Sequence, residues 1–223
     1  MMLKELHEKL LAWATADERK DQLLAARRDY FDRHGEPHEE DKSFEARMNG
    51  MLDYYLYDFR PPGSSETTIE AFMRDQAPSL TTEELALYRV LAKNVHGLFE
   101  VRKVKQPEIR LRDLFTGGDY EVTERRHMVG LDKGDILEAR LLPWDGKLFF
   151  SGAFLYHPQE VRKAILNEVK RMKKDAQKAG VDIDIPAFVA LLSRMAFKLE
   201  RYRNVSVEAL YDFRQPLKTP IAR

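Results

Sequence analysis

The sequence has no cysteine among its 223 residues, which excludes disulfide bonds, thiolate metal sites, iron–sulfur clusters and a cysteine nucleophile. It also has no net charge, because 37 basic residues balance 37 acidic ones, so no overall field attracts nucleic acid or an anionic membrane. No run approaches the roughly 18 apolar residues of a membrane span, and the N-terminal segment does not resemble a signal peptide. These absences favour a cytoplasmic protein with no cofactor, no metal and no membrane partner.

Residues 1–96 have the period of helices. One predicted helix begins near Ser43, carries its apolar residues at helical spacing, and must end at Pro61, which cannot donate a backbone hydrogen bond. Thr81 and Glu84 have the spacing of a capping box, which predicts the start of a later helix. We therefore expect an N-terminal helical region over 1–96.

The period changes from about 3.6 to 2 at Gly97. Apolar residues alternate in five short segments, which we predict to be strands: 98–104, 109–115, 120–124, 136–142 and 147–156. Asp145-Gly146 between the last two is a strong hairpin signal. Because the connections are too short for parallel crossovers, we expect a five-stranded antiparallel barrel-like unit over 97–157.

The helical period returns in residues 158–223, where two helices are expected, the second with Pro186 in its first turn. The predicted fold class is therefore α+β, and the three regions can pack together as one domain. The five-residue sequence LYDFR occurs twice, at 56–60 and 210–214. We interpret the repetition as a coincidence at the ends of two helices, where the aromatic residues are expected to anchor in the core. Duplicated recognition elements, or a pseudo-symmetric pair of helix ends, are the alternative.

Parts of the sequence resemble a family of uncharacterised bacterial proteins that share a fragment of the type "sFE-R…fldwylfd". The resemblance rests on residues 43–47 and 52–58 and continues in the segments 97–101, 113–117, 134–140 and 200–203. It extends over about residues 27–212 and implies a fold unit but no activity. Some relatives carry SEC-C metal-binding motifs; since this chain has no cysteine, neither that motif nor zinc binding is implied here.

Few residues have the spacing of a catalytic or metal site. His34 and His38 are four apart, but Gly35 and Pro37 interrupt the helix that a shared metal would need, so a solvated turn is favoured. Each of the isolated histidines His96, His127 and His157 is expected to be structural. Acidic side chains in the predicted strands could form an acid–base pair in space, although alternation turns many outward: Asp113, Asp119, Glu121 and Glu138.

Charge is distributed unevenly along the chain. Residues 1–60 contain 10 basic and 14 acidic side chains, whereas residues 159–223 contain 14 and 8. One predicted helix carries most of the candidate binding residues, which are Arg162, Lys170, Arg171, Lys173 and Lys174. Tyr54 and Tyr57 lie off the apolar stripe of their own helix and either pack between helix layers or form an exposed aromatic patch.

These features lead to three functional hypotheses. The first is a non-enzymatic protein-interaction module, in which the basic helix and the β-unit surface bind a protein partner or a second copy. The second is a nucleic-acid-associated factor that binds phosphates through the same helix, and the third is an enzyme of unrecognised type. Alternatively, the basic side chains form a solvated helix face that binds no partner. Salt-sensitive binding to RNA or DNA would indicate the second hypothesis, and a deep pocket with converging carboxylates or histidines the third.

Overall fold

A computed structural model describes residues 3–124, 130–202 and 204–214, and in these residues it has eight helices and five strands. The N-terminal helices are α1 (Leu3–Ala14), α2 (Lys20–His34), α3 (Phe44–Tyr57), α4 (Thr68–Asp75) and α5 (Thr82–Leu91). The strands are β1 (Val95–Lys105), β2 (Glu108–Asp113), β3 (Asp119–Thr123), β4 (Ile136–Trp144) and β5 (Lys147–His157). The C-terminal helices are α6 (Arg162–Ala179), α7 (Ile185–Arg201) and α8 (Val207–Leu210). The α+β class predicted from the sequence is confirmed.

The N-terminal helices form their own apolar core. Helix α5 begins with the predicted capping box, in which Glu84 N–H donates to the Thr81 hydroxyl and Thr81 N–H donates to the Glu84 carboxylate. Buried tyrosines join the helices through their hydroxyl groups: Tyr55 donates to the Ala14 carbonyl at 2.9 Å and Tyr88 to the Leu6 carbonyl at 3.0 Å. Each ring therefore buries apolar area in the core while its hydroxyl group keeps a hydrogen bond.

The five strands form one mixed sheet in the order β1-β2-β3-β5-β4, which closes on itself. Four of the pairings are antiparallel, but β3 and β5 are parallel and meet at a single residue pair, Val122 with Leu148. The predicted antiparallel barrel is therefore correct only in part. In a closed ring of five strands the directions cannot alternate all the way round, because an odd number leaves two neighbours that run the same way.

Strand β4 is buried on both faces, and this arrangement positions the site described below. Leu137, Ala139 and Leu141 belong to the core inside the sheet. Because side chains alternate along a strand, Glu138 and Arg140 extend from the opposite face, which the helices cover. Two charged residues are thus placed between the sheet and the helical layer.

The C-terminal helices pack against the sheet through a second apolar cluster. Helix α6 buries Ile165 and Val169 and ends at Gly180, whose left-handed φ of 66° suits glycine. Helix α7 begins after Asp184, which caps the Ala187 N–H, with Pro186 in its first turn as predicted. None of the helices in the described ranges combines the length and apolar character that crossing a membrane requires.

Both copies of LYDFR occur at the ends of helices. The first spans the end of α3 and the second the end of α8. Tyr57, Phe59 and Tyr211 are buried, and Phe213 packs against the cluster around α7. The prediction that this sequence ends helices and anchors its aromatic residues is confirmed.

Candidate functional site

A cavity of about 400 Å³ lies between the outer face of the sheet and the helices α2, α3 and α7. Strands β1, β4 and β5 contribute its floor and the helices its walls. Its ionisable lining includes two histidines, three carboxylates and three guanidinium groups, which are His34, His96, Asp53, Asp58, Glu138, Arg33, Arg47 and Arg140. A concave site with converging polar groups has the usual features of a small-molecule site.

Glu138 and His96 form a hydrogen-bonded pair at the floor of the cavity. His96 Nε2 lies 3.2 Å from Glu138 Oε1, and 29% of the His96 side chain is exposed whereas Glu138 is buried. Burial acts to raise the pKa of Glu138, but the hydrogen bond and charge of His96, with smaller effects from two other histidines, bring that pKa below its ordinary value. Glu138 is therefore a carboxylate that accepts a hydrogen bond from His96 Nε2–H, and Nδ1 is the ring nitrogen of His96 that Glu138 does not engage.

His34 is buried at the end of α2 and is held in one tautomer. Its Nδ1 lies 2.9 Å from the Tyr30 carbonyl oxygen, which can only accept, so Nδ1 carries the proton. Burial lowers the pKa of His34 to about 4, so the ring is neutral at pH 7 and Nε2 keeps a lone pair. The ring stacks on Tyr30 with 3.9 Å between centroids. Gly50 lets α3 approach this stack, because a Cβ there would lie 2.5 Å from the Tyr30 hydroxyl.

Arg140 is buried and bound by acceptors from the segments that follow α3 and α5. Its guanidinium donates to Asn94 and to both carboxylate oxygens of Asp58, and it lies over the Tyr57 ring. Its Nε is 3.9 Å from Asp53 Oδ2, which is beyond hydrogen-bonding distance. Burial raises the pKa of Asp53 although the charge of Arg140 acts to lower it. The neighbouring cation therefore compensates the burial of Asp53 only in part.

Arg47 joins α3 to α7. Its Nε donates to the Ser43 hydroxyl at 2.8 Å, and its terminal nitrogens donate to the hydroxyl and carbonyl of Ser193 at 3.2 and 3.0 Å. The guanidinium also lies 4.1 Å from the centroid of Phe197. Arg47 thus closes the cavity at the α7 side while its hydrogen-bond donors are engaged within the protein.

The site does not have the composition of a metal centre. Over the described ranges, no three histidine, aspartate or glutamate side chains are grouped so that they could hold a metal ion. What the cavity combines is a histidine that is hydrogen-bonded to a buried carboxylate, a second histidine, which is neutral, and a further buried carboxylate. These groups can accept and release protons.

Comparison with known proteins gives a family and no activity. The model of a family of unknown function (DUF7986) matches residues 2–202. The chain belongs to this family. The predicted resemblance to an uncharacterised family is thereby confirmed, and the match includes the first helices, which lie outside the predicted range of 27–212. No curated protein matches the sequence.

The two arginines that were predicted to bind a partner form ion pairs within their own chain. Arg162 is half-buried, pairs with the buried Glu100 and donates from Nε to a backbone carbonyl at 2.9 Å. Arg171 pairs with Glu168 and Asp175 on its own helix. Both arginines have acidic partners in their own chain, so neither presents an unpaired charge to a partner.

The predicted lysines of α6 are placed differently. Lys170 and Lys174 are exposed and Lys173 is half-buried. In the part of the chain that the structure describes, none of the three has an ion-pair partner. The basic face of α6 that remains open is therefore formed by lysines rather than by the arginines.

The two predicted tyrosines do not form an exposed patch. Tyr57 is buried, with 6% exposed, because it is the last residue of α3 and packs against the N-terminal core and under Arg140. Of the two alternatives for Tyr57, packing in the interior is therefore the one observed, and its assignment to an exposed binding patch is wrong. Tyr54 is half-buried and lines the cavity, and its hydroxyl donates to Asp29. The structure thus assigns Tyr54 to the cavity wall, on a different helix from the lysines.

The histidine predictions need two corrections. His34 does not lie in a solvated turn, because α2 continues through it and buries its ring, whereas His38 is exposed. His96 is not isolated, since β1 and β4 pair and bring it to Glu138. His127 lies outside the described residues. One signal in the sequence could have indicated the site. Glu138 and Arg140 place two charges on one face of β4, whereas the residues of the other face are apolar.

Proposed function

We propose that the protein is an enzyme that removes a proton from a small polar substrate, or from water, bound in the cavity. The observation that supports this proposal is the His96–Glu138 pair, in which a buried carboxylate orients a part-exposed histidine toward a cavity. A general base needs such an arrangement, because its proton-accepting nitrogen must be held in one tautomer within reach of the substrate.

Each group has a role in this proposal. Glu138 accepts the hydrogen bond from His96 Nε2–H and stabilises the imidazolium that forms when Nδ1 takes a proton. Neutral His34 contributes a hydrogen-bond acceptor through Nε2 and does not compete for the positive charge. Arg47 and Arg140 hold the walls in position through their bonds to α7 and to the segments around Asn94 and Asp58.

The sequence alone places an enzyme third among three hypotheses, and the cavity changes that order. A pocket with converging carboxylates and histidines is the observation that distinguishes an enzyme from an interaction module. Its residues come from α2, α3, β1 and β4, so they meet only in the folded chain.

The test is turnover of small molecules in a metabolite mixture. We expect the wild-type protein, incubated with a polar metabolite extract, to deplete at least one compound, as measured by liquid chromatography and mass spectrometry. Glu138→Gln keeps the shape but loses the charge that orients His96, so the rate should fall by about 10²- to 10⁴-fold. His96→Asn, at a part-exposed position, should cause a loss of the same order.

Glu121→Gln is the matched control, because it makes the same change at an exposed glutamate of the sheet, and it should leave the rate unchanged. Circular dichroism melting curves establish that each variant is folded. The proposal is wrong if the wild-type protein changes no compound, or if Glu138→Gln is as active as Glu121→Gln.

A second candidate function is supported by the open lysines of α6. We propose that the alternative role is that of a cytoplasmic interaction protein that binds an acidic protein surface through Lys170 and Lys174, with phosphates of nucleic acid as the competing ligand. The support is that both lysines are exposed and lack ion-pair partners in the described residues. Surface charges of this kind more often stay solvated, so this function ranks below the enzyme.

This role predicts salt-sensitive binding. Lys170→Glu/Lys174→Glu should abolish retention of the protein on an acidic polypeptide such as polyglutamate at low salt, measured by surface plasmon resonance across a salt series. Lys133→Glu/Lys147→Glu makes the same charge change at two lysines of the β-region, both exposed, and should retain most of the binding. Equal losses in both double variants, or stronger retention on RNA or DNA than on polyglutamate, would exclude an acidic protein surface as the ligand.

A further inference from the structure

The hydrogen-bond donors of the cavity are largely used within the protein. Arg47 donates from all three nitrogens to Ser43 and Ser193. The terminal nitrogens of Arg140 donate to Asn94 and Asp58. Its Nε has no hydrogen-bond partner, but it lies 3.9 Å from Asp53 Oδ2 and so already faces a carboxylate. Arg33, the third guanidinium of the lining, pairs with Asp29. The guanidinium groups therefore offer little to a negatively charged ligand.

Acceptors of the residues that line the cavity, in contrast, are buried without hydrogen-bond partners. Among the described residues, Glu138 Oε2 and Asp53 Oδ2 are buried carboxylate oxygens with no hydrogen-bond partner. His34 Nε2 is a third acceptor, because Nδ1 is committed to the Tyr30 carbonyl. A buried polar atom without a partner is costly, more so when it belongs to a charged group, and a ligand that donates hydrogen bonds would remove that cost.

We propose that the substrate of this cavity carries an alkylammonium group, which donates hydrogen bonds to Glu138 and Asp53. An ammonium group has three donors and no acceptor, which matches a set of acceptors that lack hydrogen-bond partners. A hydroxyl group would also need a donor from the protein, and a carboxylate or phosphate would face two buried anionic side chains. The ligand class deepens the proposed enzymatic function and rests on it for its role as a substrate.

The aromatic lining agrees with a cation. Tyr30 and Tyr54 line the cavity, and Tyr54 already has one cation over its ring, since the guanidinium carbon of Arg33 lies 4.8 Å from its centroid. Aromatic faces attract ammonium groups as well as guanidinium groups. The volume of about 400 Å³ suits a small metabolite rather than a polymer.

The test compares three four-carbon probes that differ in their end groups: 1,4-diaminobutane, 1,4-butanediol and succinate. We expect isothermal titration calorimetry with the wild-type protein to give at least about tenfold tighter binding for the diamine than for the diol, because its hydrogen bonds are charge-assisted. Succinate should not bind. Asp53→Asn and Glu138→Gln should each weaken diamine binding about tenfold, whereas Asp119→Asn, at an exposed aspartate, should not.

The outcomes separate the ligand class from the enzymatic function. Three results would overturn the ligand class. They are no diamine binding at concentrations well above the millimolar range, an affinity for the diol equal to that for the diamine, and diamine binding that is unchanged in both Asp53→Asn and Glu138→Gln. His96→Asn should keep diamine binding within a few-fold and lose turnover of the metabolite extract. Diamine binding without any turnover in the wild-type protein would leave the ammonium site standing and refute the enzyme.

Discussion

Replacing Arg140 by methionine is expected to lower the free energy of unfolding by about 3 to 5 kcal/mol, the usual cost of breaking a buried ion pair by removing one partner. The substitution keeps the apolar stem but removes the cation that lies between Asp53 and Asp58. Asp53 is buried and depends on Arg140 for its nearest compensating charge. Its carboxylate would then be left without a counter-ion, or would have to take up a proton.

Urea denaturation at pH 7 measures this loss. Arg110→Met is the matched control, because Arg110 makes an exposed ion pair with Glu121 on the same sheet and should cost no more than about 1 kcal/mol. The double variant Arg140→Met/Asp53→Asn should recover a large part of the lost stability, since it removes the stranded charge as well. A loss in Arg140→Met no larger than that in Arg110→Met would show that the buried pair contributes nothing.

The elements of the fold could be predicted from local patterns. The alternating segment predicted at 136–142 is strand β4, at Ile136–Trp144, and the capping box at Thr81 starts α5. Such features depend on residues within one or two turns of each other, so a single sequence contains them. The closure of the sheet is different: with five strands, the parallel β3–β5 pairing follows from the ring as a whole and not from any one strand.

The candidate site could not be predicted in the same way, because its groups are distant in sequence. His34, His96 and Glu138 come from a helix and two strands, and no single segment contains more than one of them. Alternation along β4 places Glu138 on the face opposite the inside of the sheet, but it could not show that helices cover that face. Tyr57 illustrates the same limit, since its position off the apolar stripe of α3 gave no sign that Arg140 and the N-terminal core enclose it.

Lowering the pH from 7 to about 4.5 is expected to destabilise the protein by several kcal/mol through two buried histidines. Burial lowers the pKa of both His34 and His157 from 6.5 to about 4. Between those values the unfolded chain binds protons that the folded chain does not, so the free energy of unfolding falls as the pH falls through this window. The stabilisation is fully present above pH 6.5, and on the order of 3 kcal/mol of it has been lost for each histidine when the pH reaches 4.

The measurement is urea denaturation at several pH values for the wild-type protein and for His157→Asn. Asparagine can keep a hydrogen bond to the Tyr211 hydroxyl, which lies 3.1 Å from His157 Nδ1, but it takes up no proton. The variant should therefore lose less stability than the wild type between pH 6.5 and 4.5, by about 2 to 3 kcal/mol. Asp53 acts in the opposite direction, since its pKa is raised, but it is present in both proteins and cancels in the comparison. His38→Asn, at an exposed position, should keep the wild-type pH dependence; if His157→Asn kept it too, proton uptake by a buried His157 would not be the cause.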